Sequence, residues 1–404
     1  MDGARDLAGL LRTEPFRIFF PLALVIGVAG ISHWLLLSTG AIGSYYGFFH
    51  AVTQMQAFLL AFAAGFLLTA IPKRTQSAPA SPIEIGALAV LLPAISILTF
   101  LELTVSGQLA YFLTLALLTQ FAVRRFLSRS SGRRPPASFV LVPLGFAAGF
   151  SGSILHSIAL HADVSSATRG LGRALVFQGL FLCLTLGIGA FFLPLALRGE
   201  AAADLDKASR KSILGYLLGG LVMLGGLALE EAGFYRIGPL VRGVAAVAIL
   251  IGSGAYRLPA QPGANRFLVW ASAWAVPLGM LGIAAMPEHR LAALHISFIG
   301  GFGLLAFAVA AHVTLGHGGF YEKQRGWPIA VIGYGVLFGL AVVARALATT
   351  TSIYYLNWVG VAAALWLAGA VVWGAFLLPK LWRKSNPPPP PPQLINPSSL
   401  RRGP

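Results

Sequence analysis

Twelve apolar runs of about 20 residues recur along the chain, at 16–38, 45–71, 83–104, 107–127, 137–160, 174–197, 212–231, 237–256, 267–286, 291–316, 327–347 and 355–381. A helix of that length matches the hydrocarbon thickness of a bilayer. Backbone groups in lipid must be satisfied within their own segment, so each run predicts a transmembrane helix. The runs are continuous and not alternating, which excludes an outer-membrane barrel. Composition points the same way. Only 10% of residues are charged and 57% are hydrophobic, whereas a soluble domain carries about 25% charged residues to cover its surface. The 47 glycines suit helices that approach closely in lipid. The expected fold class is an all-α integral membrane protein, a bundle of about twelve transmembrane helices.

The net charge of +16 does not mark a nucleic-acid binder, because the cations sit in short loops between apolar runs. Of the 29 Lys and Arg residues, only Arg169, Arg173, Arg236, Arg242, Arg290 and Arg345 fall on one side of the expected topology. The remainder fall on the side that holds both termini, so both termini are expected to be cytoplasmic. The N-terminal segment lacks an apolar core followed by a small-residue cleavage site, and the first run is read as a retained span. Residues 1–384 are expected to form one polytopic domain. Residues 385–404, with an unbroken proline run from Pro387 to Pro392, are expected to be a disordered Pro-rich cytoplasmic tail. The single cysteine, Cys183, lies in an apolar run, where a small buried apolar side chain is the simplest role.

The polar chemistry collects by depth. With this topology His33, His50, His156, His161, His289 and His295 lie toward the outer side, and His312 and His317 toward the inner side. In the tenth run, His295 and His312 are about 25 Å apart along a helix. Neutral imidazole is a common ligand of haem iron and of copper. A haem held between helices needs one or two such ligands, apolar walls and nearby cations for its propionates. His50, His156 and His295 lie within or at the start of a run and are the candidate cofactor ligands; His33 also lies in a span end. His161 and His289 read as loop residues. For each polar group taken singly, interfacial anchoring competes with ligation. A second metal position at His312 and His317 competes with the same explanation, because residues five apart share a helix face poorly.

Gln54 lies four residues after His50, on the same helix face. Gln56, Glu102, Glu230, Glu231, Tyr45 and Tyr46 share the outer depth, and Arg242 and Arg345 are placed to pair with propionates or with these glutamates. Mid-run prolines at 93, 143 and 277, and Pro328 near a helix start, either shape a cavity or are ordinary membrane prolines. No phosphate loop, HExxH, CxxC or Ser-His-Asp order is present in the sequence, which removes the common hydrolase and nucleotide-binding classes.

Several landmarks resemble, in order, the NnrS proteins of bacteria. PFRIFF at 15–20 resembles the entry to that family's first helix. His50 followed by GFLLTAIP at 65–72 resembles its histidine-bearing second helix. LHISFIGGFGLLAFAVAAHVTLGHGG at 294–319 resembles its tenth helix, including the terminal LGH-x-G. The resemblance implies a twelve-helix cytoplasmic-membrane protein with haem and copper, linked to nitric oxide and nitrosative stress. It carries His50, His295 and His317 over as matching positions. Where the family's second helix starts like HAHEM, this chain has His50-Ala51-Val52-Thr53-Gln54; where the family exit is often VPNW, it has IPKR with Lys73 and Arg74. His312 stands where the family usually has arginine.

The expected function is therefore a multi-pass protein of the bacterial inner membrane that binds a b-type haem, with copper as a second candidate metal. His50 and His295 are the main haem ligands and His156 the reserve. Candidate metal ligands are His50, His295, His317 and His312. Expected partners are the lipid bilayer and nitric oxide or another small diatomic molecule. The rivals are a membrane transporter with an outer-side polar site, disfavoured by the lack of a visible repeat, and a haem-dependent membrane oxidoreductase.

Overall fold

A computed structural model describes residues 2–131, 134–199 and 209–383. The Pro-rich segment 385–404 and most of the linker 198–211 lie outside the described residues. Every apolar run forms a helix. Eleven are long and apolar enough to cross a bilayer: α1 Phe16–Ser38, α2 Gly47–Thr75, α3 Pro82–Phe100, α4 Thr104–Leu127, α5 Ala137–His161, α6 Ser166–Arg198, α7 Arg210–Glu231, α9 Ala264–Ala285, α10 Pro287–His317, α11 Ile329–Thr350 and α12 Tyr355–Leu381. The remaining run forms α8, Ile237–Gly252. It is shorter than expected because Gly254, at φ +77°, turns the chain there. The Tyr256 N–H then donates to the Leu250 carbonyl, 3.2 Å, so Ala255 and Tyr256 close a turn and do not extend the helix. An amphipathic helix, Asp2–Thr13, precedes α1.

The helix starts follow from local chemistry. At α3, Ser81 and Glu84 form a capping box: the Glu84 N–H donates to Ser81 Oγ at 3.2 Å and the Ser81 N–H to Glu84 Oε2 at 2.8 Å, with Pro82 at the first position. Glu84 also receives Arg125 of α4 at 2.8 and 2.9 Å, which pins the antiparallel pair. The α6 helix begins at Ser166, eight residues before its apolar run, because Ser165 caps it and Arg169 and Arg173 are tolerated in its polar first turns.

The first and last spans pack against each other: α12 lies beside both α1 and α11. From there the neighbours run α11–α10–α9–α8–α7, and back through α5, α4 and α3. α2, α6 and α10 are the most enclosed spans. An aromatic cluster of Phe58, Phe62, Phe307, Phe338, Trp366 and Trp373 joins α2, α10, α11 and α12, with adjacent rings 4.8 to 5.8 Å apart. The Trp373 indole N–H donates to the Phe307 carbonyl at 2.9 Å. Asn265 donates to the Ala308 carbonyl and accepts from the Tyr334 hydroxyl, both at 3.0 Å, tying α9, α10 and α11. These contacts build a rigid floor under the space described next.

Candidate functional site

Above that floor lies a cavity of about 300 Å³ between α1, α2, α6, α10, α11 and α12. The volume falls within the usual range of small-molecule sites. Phe58 and Trp366 of the aromatic cluster form part of its wall, with Trp34, Phe177 and Phe298. Its polar groups are His50, Gln54, His295, Arg345 and Tyr355.

The two histidines are held in the same way. His50 Nδ1 lies 3.1 Å from the Gly30 carbonyl, and His295 Nδ1 lies 2.7 Å from the Leu291 carbonyl. A carbonyl only accepts, so each Nδ1 carries the hydrogen and each Nε2 keeps its lone pair. Among the described residues the hydrogen bonds of these two rings are made through Nδ1. Fixing Nδ1 on a backbone carbonyl is also how metal-binding imidazoles are commonly oriented. Glycines on α1 make the anchor possible. A Cβ on Gly30 would meet the side chains of Gln54 and Thr53 at 2.6 and 2.7 Å, so only glycine lets α2 come this close. Gln54, one turn after His50, donates to the Gly27 carbonyl at 2.9 Å. Both residues of that helix face therefore use carbonyls of α1.

Local helix geometry also serves the cavity. The described residues include three π-helical segments, Thr53–Phe58, Leu175–Gly179 and Ile296–Gly303. Each contributes to the same cavity wall: Gln54, Met55 and Phe58 from the first, Phe177 from the second, Phe298, Ile299 and Gly303 from the third. A π turn amounts to a one-residue insertion and is frequent at functional sites. Nothing in the sequence pattern signals these segments.

The other histidines lie elsewhere. His156 is buried and stacked on Phe48 at 4.9 Å, and Phe48 in turn meets Phe177 at 6.1 Å. Phe48 and the wall residue Phe177 thus stand between it and the cavity, and neither of its ring nitrogens has a hydrogen-bond partner. His33 packs among Tyr45, Phe49 and Phe100. His161 is exposed at the end of α5. His312 sits edge-on to Phe192 at 5.8 Å, with its Nδ1 unpartnered.

His317 belongs to an ionic cluster at the opposite end of the bundle from His50. Its Nδ1 lies 2.8 Å from Glu14 Oε1 and 3.2 Å from Lys73 Nζ. Arg17 Nε donates to the same carboxylate at 2.7 Å. Burial pushes the Glu14 carboxyl up, but the hydrogen bonds and charges of His317 and Arg17 outweigh it and pull it down to about 2. His312 and His317 therefore do not converge on one centre. Among the described residues no group of three or more His, Cys, Asp or Glu side chains has metal-binding geometry.

Of the outer-depth glutamates, Glu230 is buried and pairs with Arg242, whose other nitrogen donates to Gln178 at 3.1 Å, and with Arg290 at 2.5 Å. This cluster ties α7, α8 and α10 together outside the cavity. The cavity's Met55, Trp34 and Tyr355 had no distinguishing signal in the sequence, where they are ordinary apolar or interfacial residues.

None of the curated proteins matches this chain. The NnrS protein family matches residues 10–385, a stretch that includes every residue of the cavity wall. The chain therefore belongs to the NnrS family, whose membrane proteins are associated, at the level of the family, with the response to nitric oxide.

Proposed function

We propose that this chain is a multi-pass protein of the bacterial inner membrane that binds a b-type haem through His50 and His295 and acts in the response to nitric oxide. One observation carries the reading. Two imidazoles from different helices face one apolar cavity, each with Nδ1 fixed on a carbonyl and Nε2 left with its lone pair. That is the donor chemistry of a haem-iron ligand. Bound there, the haem would supply iron chemistry toward nitric oxide or another small diatomic ligand, with one of the two imidazoles giving way to the incoming molecule. The residues of the chain do the remainder. His50 and His295 hold the metal, the Gly30 carbonyl fixes the His50 ring, Gln54 ties that helix face to α1 through Gly27, and Trp34, Phe58, Phe298 and Trp366 keep bulk water out. The Lys and Arg distribution supports an outer-facing site. His156, the reserve ligand, reaches the cavity only if Phe48 and Phe177 swing aside.

Copper is the second reading for the same donors, favoured by one observation: the thioether residue Met55 lines the cavity with the two imidazoles, and soft ligands suit Cu(I). An absorption spectrum of the purified protein, with metal analysis, decides between them. The expected result is a Soret band that is lost in His50→Ala and in His295→Ala but kept in His317→Ala. A colourless protein from haem-supplied cells that holds copper would favour the second reading. A colourless, metal-free protein would leave a transporter site. If haem is present, turnover of nitric oxide with an added reductant tests the oxidoreductase reading.

A further inference from the structure

Four arginines of the described residues are almost fully buried: Arg17, Arg125, Arg242 and Arg345. The first three each hold a carboxylate. Arg17 holds Glu14, Arg125 holds Glu84, and Arg242 holds Glu230. Arg345 holds none among the described residues, although it is only 7% exposed. Burying an unpaired guanidinium is costly, and folded chains avoid it unless a counter-charge is supplied. Its Nη1 is buried with no hydrogen-bond partner.

The surroundings of Arg345 are built, not accidental. The guanidinium lies 5.7 Å from the ring centroid of Tyr355. Tyr45, which packs on the wall residue Trp34, lies within the electrostatic reach of Arg345 and Tyr355. Its own hydroxyl is buried and unpartnered, while its ring lies 4.0 Å from that of Trp34, tilted by 36°. Burial pushes the Tyr45 phenol up, so it stays a neutral donor. An unpartnered guanidinium nitrogen and an unpartnered phenol hydroxyl thus lie in one neighbourhood, beside the Tyr355 side chain that hydrogen-bonds Arg345. Arg345, Tyr355 and Trp34 all line the cavity that holds His50 and His295.

We propose that Arg345, with the hydroxyls of Tyr45 and Tyr355, forms an anion subsite of this cavity that takes a carboxylate or a small oxyanion. A planar guanidinium fork suits the two oxygens of such a group, and the phenols add neutral donors. The anion neutralises the one buried arginine among the described residues that has no carboxylate. The anionic group has two sources. It is either a propionate of a haem seated on His50 and His295, in which case the inference rests on the haem reading, or a free oxyanion such as nitrite or formate.

Wild type, Arg345→Gln, Arg345→Lys and Tyr45→Phe are compared as purified full-length chains. Thermal unfolding is followed during titration with nitrite and with formate, with perchlorate-free chloride buffer as the reference. In parallel, the affinities for haem and for haem dimethyl ester, whose carboxylates are blocked, are measured. If the anion is a propionate, Arg345→Gln weakens haem binding about tenfold or more, the size of a lost charge-assisted hydrogen bond, and leaves the ester unaffected. If it is a free oxyanion, nitrite or formate raises the Tm of wild type, and Arg345→Gln abolishes the rise. Arg345→Lys and Tyr45→Phe give intermediate losses on whichever arm responds, and they stand in for Arg345→Gln if that variant does not fold. The inference is overturned if neither arm depends on Arg345. The oxyanion arm needs no haem, so a colourless protein removes the haem reading without removing this test.

Discussion

Glu230 is 2% exposed and receives both Arg242 and Arg290. Removing a single partner from a buried pair leaves a charge without compensation, which costs about 3–5 kcal/mol. Glu230→Gln is therefore expected to lower the Tm sharply. The paired replacement Glu230→Leu with Arg242→Met removes both charges and is expected to cost much less, as denaturation in detergent would show. Glu14 makes a pH-dependent prediction. Its carboxyl is held at about 2 against an ordinary 4.5, so its contribution to stability is complete above pH 4.5 and is lost as the pH falls from there toward 2. Wild type is expected to lose Tm over that window, and Glu14→Gln to lose less. Individual side chains were partly legible in the sequence. The i,i+4 spacing put His50 and Gln54 on one face, where both bond to α1, and depth alone grouped His50 with His295. Depth also grouped His156 with them, but it ranks residues along the bilayer normal and says nothing of position in its plane, where Phe48 intervenes. Whether Arg345 found a carboxylate depended on which helices became neighbours, and no spacing reveals that.

The number and order of the helices were legible, because apolar length is a local property that a bilayer selects; their ends were not, as at α6, where a Ser165 cap starts the helix eight residues early. The π segments were not. They are set by how α2, α6 and α10 pack at the cavity, and a one-residue widening leaves the apolar pattern unchanged. Close helix crossings are likewise tertiary. α7 and α8 meet through Gly226 and Gly238: a Cβ on Gly226 would lie 2.7 Å from the Gly238 carbonyl oxygen, and one on Gly238 would lie 2.6 Å from the Glu230 backbone nitrogen. Backbone does not move aside as a flexible side chain does. Gly225, the neighbouring residue, has nothing within 4 Å of the same added atom. Gly226→Ala is thus expected to destabilise by about 1–3 kcal/mol, the usual cost of overpacking. Gly225→Ala is expected to be neutral or slightly stabilising, because alanine is the better helix former. Equal effects of the two substitutions in a thermal-shift comparison would mean that the crossing is not as tight as the backbone distances indicate.

At the scale of the whole molecule, the bundle has two chemically different ends. One end opens on the cavity of His50, His295 and Arg345. The other is closed by the cluster of Glu14, Arg17, Lys73 and His317. The asymmetry of Lys and Arg across the loops favours the second end as cytoplasmic, and that orientation decides from which compartment any ligand enters. A cysteine-labelling experiment reads it directly. The native Cys183 is buried, which makes the wild-type chain an unreactive background. Ser166 is exposed at the start of α6, on the cavity end, and Ser128 is exposed just after α4, on the cluster end. On the proposed inner-membrane location, a membrane-impermeant maleimide that enters only the periplasm of intact cells is expected to label Ser166→Cys and to spare Ser128→Cys until that membrane is permeabilised. The reverse pattern would turn the cavity toward the cytoplasm. Anions and haem would then load from inside, and the basic loops would face outward against the charge rule.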